Sequence, residues 1–252
     1  MTSPPRIKYE RRHRIHAKRL ALFCLALLLG GEFILVAMTS PWFLVHKIEV
    51  KGASKTTREQ VMQVVATAKN TNLFRLKPRP LVELLQRNPL IRKATIHKAP
   101  PGTLIVQVTE RAADLVLRTD GKCYLVDSSN VPFKTVDNPP SGLTLITCDL
   151  PGKVTLGHSI NSAQFRSARK CLDLARKKKN FAASEISVDR NGDLCLNTCD
   201  GLEVRLGQPV QLADKLEKVE QAIAQIPVIR KDAEYIDVTC PQEPAFKPKR
   251  TY

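Results

Sequence analysis

The chain has 252 residues, 40 Lys and Arg against 24 Asp and Glu, a formal charge of +16 and a pI near 9.7. That length suits one membrane segment plus two modest domains; an apolar fraction of 43% excludes a wholly disordered chain, and 17 Pro with 11 Gly exclude a collagen-like one. The charge first points to nucleic acid or an anionic surface, so its position along the chain matters.

Residues 1–19 carry Arg6, Lys8, Arg11, Arg12, Arg14, Lys18 and Arg19 against Glu10 alone. Leu20–Thr39 then has one charge in twenty residues, enough to cross a hydrocarbon core of about 30 Å as a helix. Pro41-Trp42 supplies a helix stop and an interfacial aromatic. A basic flank ahead of the helix keeps the N-terminus in the cytoplasm and puts residues 41–252 outside. A cleaved signal peptide is the competing reading; the long basic region, the long apolar run and the lack of an A-x-A site disfavour it. A buried core helix fails because the segment is apolar all round. Glu32 is costly in lipid, so it faces a partner helix or is locally hydrated, and Gly30 and Gly31 beside it permit close helix approach.

In the outer part, His46–Val50 alternates and ends at Gly52, a short strand. Thr57-x-x-Gln60 reads as a capping box, ahead of a helix that aligns Val61, Val64, Val65 and Ala68. A shorter helix begins near Pro80, buries Leu81, Leu84 and Leu85, and stops at Asn88-Pro89. Two strands follow, Ile91–Lys98 with Ala94 and Ile96 inward and Thr103–Glu110 with Leu104, Val106 and Val108 inward, joined by Pro100-Pro101-Gly102 as a type II turn. The order strand–helix–helix–strand–strand predicts a three-stranded sheet with two helices on one face.

From Ala112 the pattern becomes strands and hairpins. Leu115–Leu117 and Cys123–Val126 flank Asp120-Gly121, and further strands fall at Val131–Thr135 and Leu143–Cys148. A helix near Ser162–Lys178 aligns Phe165, Ala168, Leu172 and Ala175. Glu185–Asp189, Leu194–Thr198 and Leu202–Leu206, joined by Asn191-Gly192 and Asp200-Gly201, predict a three-strand meander. A helix near Val210–Ile226 spaces Leu212, Leu216, Val219, Ile223 and Ile226 before Pro227; Tyr235–Val238 is one more strand, and 240–252 reads as a tail. The fold class is α+β: a single transmembrane helix (20–39) after a basic cytoplasmic tail (1–19), a β-α-α-β-β unit (42–111), a β-rich domain with flanking helices (112–239) and a C-terminal tail (240–252).

These pieces, in this order, resemble the FtsQ/DivIB family of bacterial cell-division proteins. The resemblance rests on Ile48-Glu49-Val50-Lys51-Gly52, Asn72-Leu73-Phe74, Asn88 to Ala94 and Pro101 to Arg111 in the first unit. In the second it rests on Tyr124-Leu125-Val126-Asp127, Val204-Arg205-Leu206-Gly207 and Tyr235-Ile236-Asp237-Val238. It implies a polypeptide-transport-associated (POTRA) domain and a non-catalytic scaffold of the divisome, in the cell inner (plasma) membrane and at the septum. It also implies recruitment of FtsB- and FtsL-like bitopic division proteins, in support of septal peptidoglycan synthesis. By that resemblance an exposed last strand, here Tyr235, Ile236, Asp237, Val238, Thr239 and Cys240, pairs with a partner's strand. The alternative is that Tyr235–Val238 only closes the core. Some members carry an Arg-Tyr pair after this motif; this chain has Thr239-Cys240 and then Pro241, which ends strand pairing. Gly30, Gly31 and Glu32 are the candidate contact within the membrane.

No catalytic constellation assembles. His46, His97 and His158 are far apart; H-E-x-x-H, G-x-S-x-G, Walker and G-x-G-x-x-G motifs are absent from the sequence; and Asp127, Asp189, Asp193, Asp200 and Asp237 sit at turns or strand ends, where Asp serves the backbone. No metal and no cofactor are expected. Six cysteines outside the membrane segment permit disulfides, and small buried thiols are the simpler reading.

Three other functions fit the sequence less well. A protein-transport or outer-membrane assembly factor would use the POTRA-like unit, but no alternating barrel follows. An envelope anionic-polymer or nucleic-acid binder would use the charge, but residues 1–19 hold +6 of it, and the +11 on residues 40–252 is spread without interleaved aromatics; nucleic acid is not expected. A wall-synthesis enzyme lacks a site.

Overall fold

The computed structural model describes residues 10–178, 182–225, 233–240, 242 and 244–248. The chain divides into two compact units, residues 1–86 with 93–109, and 87–92 with 110–252. The predicted Ile226-Pro227 helix end and Pro241 lie outside the described residues, as do residues 1–9 of the basic tail.

The first unit opens with α1 (Glu10–Thr39), whose stretch Lys18–Val36 has a mean hydropathy of 2.1, is nowhere buried, and is long and apolar enough to cross a membrane. The helix reaches ten residues further back than the apolar run, because nothing in the basic flank breaks it. A short turn at Pro41–Phe43 follows, capped by the Ser40 hydroxyl accepting from Trp42 N–H, and Trp42 is fully exposed just past the apolar stretch.

Next come β1 (Lys47–Lys51), α2 (Lys55–Val65), α3 (Pro78–Gln86), β2 (Ile91–Ala99) and β3 (Thr103–Glu110), the strand–helix–helix–strand–strand order the sequence predicts. The sheet order is β1-β3-β2, with β1 and β3 parallel, so the third strand inserts between the first two. Leu104, Val106 and Val108 on that central strand are buried, as are Val61 and Val65 of α2 and Leu81 and Leu85 of α3. Asn72-Leu73-Phe74 anchors the helix connection. Leu73 N–H donates to Phe43 O at 2.7 Å, Val45 N–H donates to Thr71 O, and the Phe43 and Phe74 rings lie 5.0 Å apart.

Three local expectations are corrected. The α2 N-cap is Ser54, three residues before Thr57; Thr57 is buried inside the first turn, and its hydroxyl accepts from Ser54 Oγ, so packing and not capping selects it. Leu84 is 46% exposed, because a helix of nine residues turns only Leu81 and Leu85 onto the sheet. The Pro100-Pro101 peptide is cis, so the connection is not a type II turn, and Gly102 does not serve a positive φ. Gly102 is needed for close approach instead: a Cβ there would lie 2.2 Å from the His46 ring and 2.5 Å from Leu44 O.

The second unit is one nine-stranded sheet in the order β12-β11-β10-β9-β8-β7-β4-β5-β6. Its strands are β4 (Leu115–Thr119), β5 (Lys122–Val126), β6 (Pro132–Val136), β7 (Thr144–Cys148), β8 (Ala183–Val188), β9 (Leu194–Thr198), β10 (Glu203–Gly207), β11 (Ala233–Asp237) and β12 (Ala245–Pro248). The helices are α4 (Ala163–Ala175) and α5 (Leu212–Gln225). Consecutive strands joined by tight turns are antiparallel: Asp120 and Gly121 hold φ of 49° and 70°, the two positive values of a type I′ hairpin. Strands separated by longer connections, β4–β7, β7–β8 and β10–β11, are parallel; helices α4 and α5 form the crossovers for the last two. Phe165, Ala168, Leu172 and Ala175 from α4 and Leu212, Leu216, Val219 and Ile223 from α5 share one core with Leu117, Ile146, Ile186, Leu196, Val204 and Ile236. A smaller cluster of Val116, Cys123 and Leu145 has the opposite strand parity.

All seven cysteines are free thiols; Cys123, Cys148 and Cys171 are buried. Burial pushes the Cys171 thiol up to about 12, and burial with the charge of Asp149 does the same for Cys148. Asp114 ties α4 to the start of β4 through Arg169 and through Arg176, whose Nη1 lies 2.9 Å from the carboxylate. Partial burial raises the Asp114 pKa, but hydrogen bonding and charge from Arg169, then from Arg176, outweigh it and hold the carboxyl below its ordinary value. Because the folded value is the lower one, this support is present at neutral pH and is lost as pH falls through about 4 and below. The stability difference between the wild type and Asp114→Asn, followed by urea unfolding at stepped pH, is therefore expected to shrink over that range.

Thr119 is buried, and its Oγ1 has no partner among the described residues. Thr119→Val keeps the shape and removes an unsatisfied hydroxyl, so thermal unfolding should shift upward by roughly 2–4 °C, equivalent to about 1 kcal/mol.

Candidate functional site

The predicted binding strand forms as β11, but it is not the edge. It runs parallel to β10, with Glu203 opposite Tyr235 and Val204 opposite Ile236, and its other side is paired antiparallel with β12. Residues 245–248, read as tail, thus add a strand and cover the one expected to be exposed. Main-chain pairing that no local periodicity announces outweighs the breaks at Pro244 and Pro248.

The six candidate residues separate by environment. Ile236 and Val238 are fully buried core residues, while Tyr235 and Asp237 are half-buried. Thr239 is exposed and packs against Gly207, where a Cβ would come within 2.8 Å of its Cγ2; Cys240 is exposed. Asp237 Oδ1 accepts from Thr239 N–H at 2.9 Å, which ends the strand in a tight turn. Below it Lys215, only 3% exposed, donates to Leu206 O at 2.6 Å and Gln208 O at 3.0 Å, gathering the end of β10. Burial lowers its pKa.

Alternation sets what the new edge offers. Val238 N–H donates to Arg205 O, so the main-chain groups of Val238 and Ile236 point to β10 and those of Tyr235 and Asp237 to β12. Their partners Lys247 and Ala245 then point inward, and the Phe246 N–H and C=O point outward from the sheet. Pro244 and Pro248 to either side have no N–H, so among the described residues Phe246 supplies the donor of this short edge. Its side chain is 52% exposed.

On the sheet face opposite the helices, the Arg205 guanidinium lies 3.7 Å from the Tyr235 ring centroid, and Lys247 Nζ lies 5.6 Å from it. Glu203 pairs with Arg205 at 2.7 Å, and Glu234 with Lys247 at 2.9 Å. An exposed aromatic, two cations and a strand edge unpaired among the described residues lie together at this end of the sheet. Phe246, Arg205 and Lys247 were missed from sequence: Ala-Phe-Lys is too short to register as alternation between two prolines.

Gly30, Gly31 and Glu32 lie exposed on α1, and an added Cβ at either glycine meets nothing within 4 Å. Asp127, Asp189 and Asp237 bind backbone, as their positions predict, whereas Asp193 accepts from Gln208 Nε2 at 2.8 Å and Asp200 from the Thr198 hydroxyl. Asp127 accepts from the N–H groups of Ser129 and Val131, and Asp189 from those of Asn191 and Asp193. Among the described residues no three His, Cys, Asp or Glu side chains group as metal ligands.

An apolar N-terminal helix, one POTRA unit and a β-rich unit with two crossover helices define the class of single-pass division proteins. Residues 43–111 match the POTRA domain, FtsQ-type, and residues 115–239 match the cell division protein FtsQ/DivIB C-terminal model. The chain belongs to the FtsQ/DivIB family. It is 27% identical over 203 residues to cell division protein FtsQ of Syntrophotalea carbinolica, covering 79% of this chain and 71% of that one. It is 24% identical over 232 residues to FtsQ of Corynebacterium glutamicum, covering 86% and 95%, and 22% identical to DivIB of Clostridium tetani, covering 85% and 83%. That family membership gives the protein a role in the divisome and places it in a scaffold family not known for enzymes.

Proposed function

We propose that the protein is a scaffold that recruits FtsB- and FtsL-like bitopic division proteins by adding one of their strands to the β12 edge. α1 holds it in the inner membrane, with the basic flank in the cytoplasm and both folded units outside. The observation that carries this reading is the outward-pointing main chain of Phe246 beside its exposed ring. Tyr235, with Arg205 stacked on it, and Asp237 underlie that edge and contribute from the flat face; Ile236 and Val238 act by holding β11 in place; Thr239 and Cys240 border its end. Acidic partner side chains suit Arg205 and Lys247.

The Gly30-Gly31-Glu32 step is the second contact in this proposal, where a partner's membrane helix packs closely and hydrogen-bonds the carboxyl group. The test of the whole reading is depletion combined with imaging of a fluorescent fusion. Septal localisation and filamentation on depletion are expected; a diffuse membrane signal with normal division overturns the proposal.

A further inference from the structure

α1 enters the first unit without a slack linker. The Thr39 hydroxyl donates to Leu35 O and Ser40 N–H to Val36 O, both at 2.8 Å, and Ser40 caps the next turn, Pro41–Phe43. Phe43 O then accepts from Leu73 N–H at 2.7 Å, and Leu44 bridges antiparallel to Asn72. The segment 72–77 is thereby tied to Phe43, four residues past the end of α1. Three of those residues form a turn that rises only about 2 Å per residue, so the separation is about 8 Å. That is close to the depth of one headgroup layer, about 5–7 Å beyond the hydrocarbon core.

At this depth the unit shows aromatic rings and unpaired cations. Trp42 is 78% exposed and Phe74 44%, while Leu73 between Asn72 and Phe74 is wholly buried. The loop is set in shape: Asn72 Oδ1 accepts from Phe74 N–H at 2.9 Å, Asn72 O accepts from Leu76 N–H at 3.0 Å, and the Phe74 ring rests on that of Phe43. Arg75 and Lys77 are exposed and have no carboxylate partner among the described residues. Lys98 Nζ donates to Phe74 O at 3.3 Å, which leaves two of its three N–H groups for another acceptor. Segments 41–48, 60–82 and 84–109, which supply all these groups, contain no Asp or Glu.

We propose that the first unit docks on the membrane leaflet from which α1 emerges. Phe74 joins Trp42 at the boundary of headgroups and acyl chains, and Arg75, Lys77 and Lys98 bind anionic lipid headgroups. The proposal rests on α1 spanning a bilayer and goes beyond the partner edge of the second unit. α1 alone leaves the unit free to swivel about Ser40; a second contact through the 72–77 loop fixes its orientation to the bilayer. The rings supply depth and the cations supply a preference for negative lipid, so the contact weakens with salt.

The test uses the full-length protein in phosphatidylcholine vesicles with or without about 30% phosphatidylglycerol, quenched by lipids brominated on the acyl chain near the headgroup. Trp42 is the sole tryptophan, so Trp42→Phe with Phe74→Trp moves the fluorophore into the loop. Its emission should fall at least about twofold in the anionic vesicles. Omitting phosphatidylglycerol, adding about 0.5 M salt, or combining Arg75→Gln, Lys77→Gln and Lys98→Gln should each restore most of it. Arg75→Trp, at an exposed site, replaces Phe74→Trp should circular dichroism show the latter misfolded. Leu28→Trp in the Trp42→Phe background reports on α1 itself. A quenched fluorophore at position 28 with an unquenched one in the loop overturns the docking and leaves the anchor standing; an unquenched one at 28 overturns both. Loop quenching that ignores phosphatidylglycerol, salt and the three charge substitutions overturns the headgroup contacts and the proposal with them.

Discussion

Asp127→Ala should lower the stability of the second unit by about 3–5 kcal/mol, a large share of the 5–15 kcal/mol that ordinarily holds a domain folded. Asp127 is 1% exposed and takes three donors: Ser129 N–H at 2.8 Å, Val131 N–H at 3.0 Å and Arg111 Nη1 at 2.5 Å. Arg111 is itself largely buried, and it also binds the segment 87–92: Nε donates to Pro89 O at 3.1 Å and its backbone N–H to Leu90 O at 2.9 Å. Removing the carboxylate leaves Arg111 Nη1 and two amides without their acceptor in a largely buried site, with only the Nε bond to Pro89 O retained. Hydrogen exchange of the β4–β7 amides measures the effect directly. Protection is expected to fall by at least about 100-fold; a loss below tenfold would show that Arg111 finds another acceptor.

Phe246→Pro should reduce capture of an FtsB-like partner by more than about 10-fold while leaving the fold intact, because it deletes an N–H of the β12 edge that pairs with no other strand among the described residues. Ile236→Pro, the obvious substitution from sequence, is a poor test: Ile236 is 1% exposed between two paired strands, so Pro there breaks the sheet itself. Capture by immobilised protein, with circular dichroism as the control for folding, separates the two. Undiminished capture by Phe246→Pro would place the partner elsewhere. Phe246→Ala retains the N–H, so comparing the two variants divides the loss between main chain and ring.

Much of the fold is legible in the sequence wherever neighbours along the chain decide the outcome. The heptad-like spacing of Leu212, Leu216, Val219 and Ile223 specifies α5, and Asp120-Gly121 specifies a hairpin, because those constraints act within a few residues. The apolar run before Thr39 needs no partner at all. Errors begin where a local signal has two solutions: Ser54 and Thr57 both suit a cap, and only the packing of Thr57 into the core decides between them.

The site divides in the same way. Tyr235–Val238 reads as a strand from its own alternation, and family resemblance alone makes it a binding strand. Whether its edge is open depends on Ala245–Pro248 folding back across a turn, a pairing whose energy lies in main-chain bonds indifferent to side-chain pattern. Arg205 over Tyr235 and Arg111 on Asp127 are likewise contacts between residues 30 and 16 positions apart. By itself, then, the sequence determined the elements up to β11, the membrane helix and the family, since hydrophobic period and turn chemistry are local. Strand order, the identity of the edge and the buried ion pair were decided only in the tertiary structure, where distant segments compete for the same hydrogen bonds and only one arrangement satisfies them all.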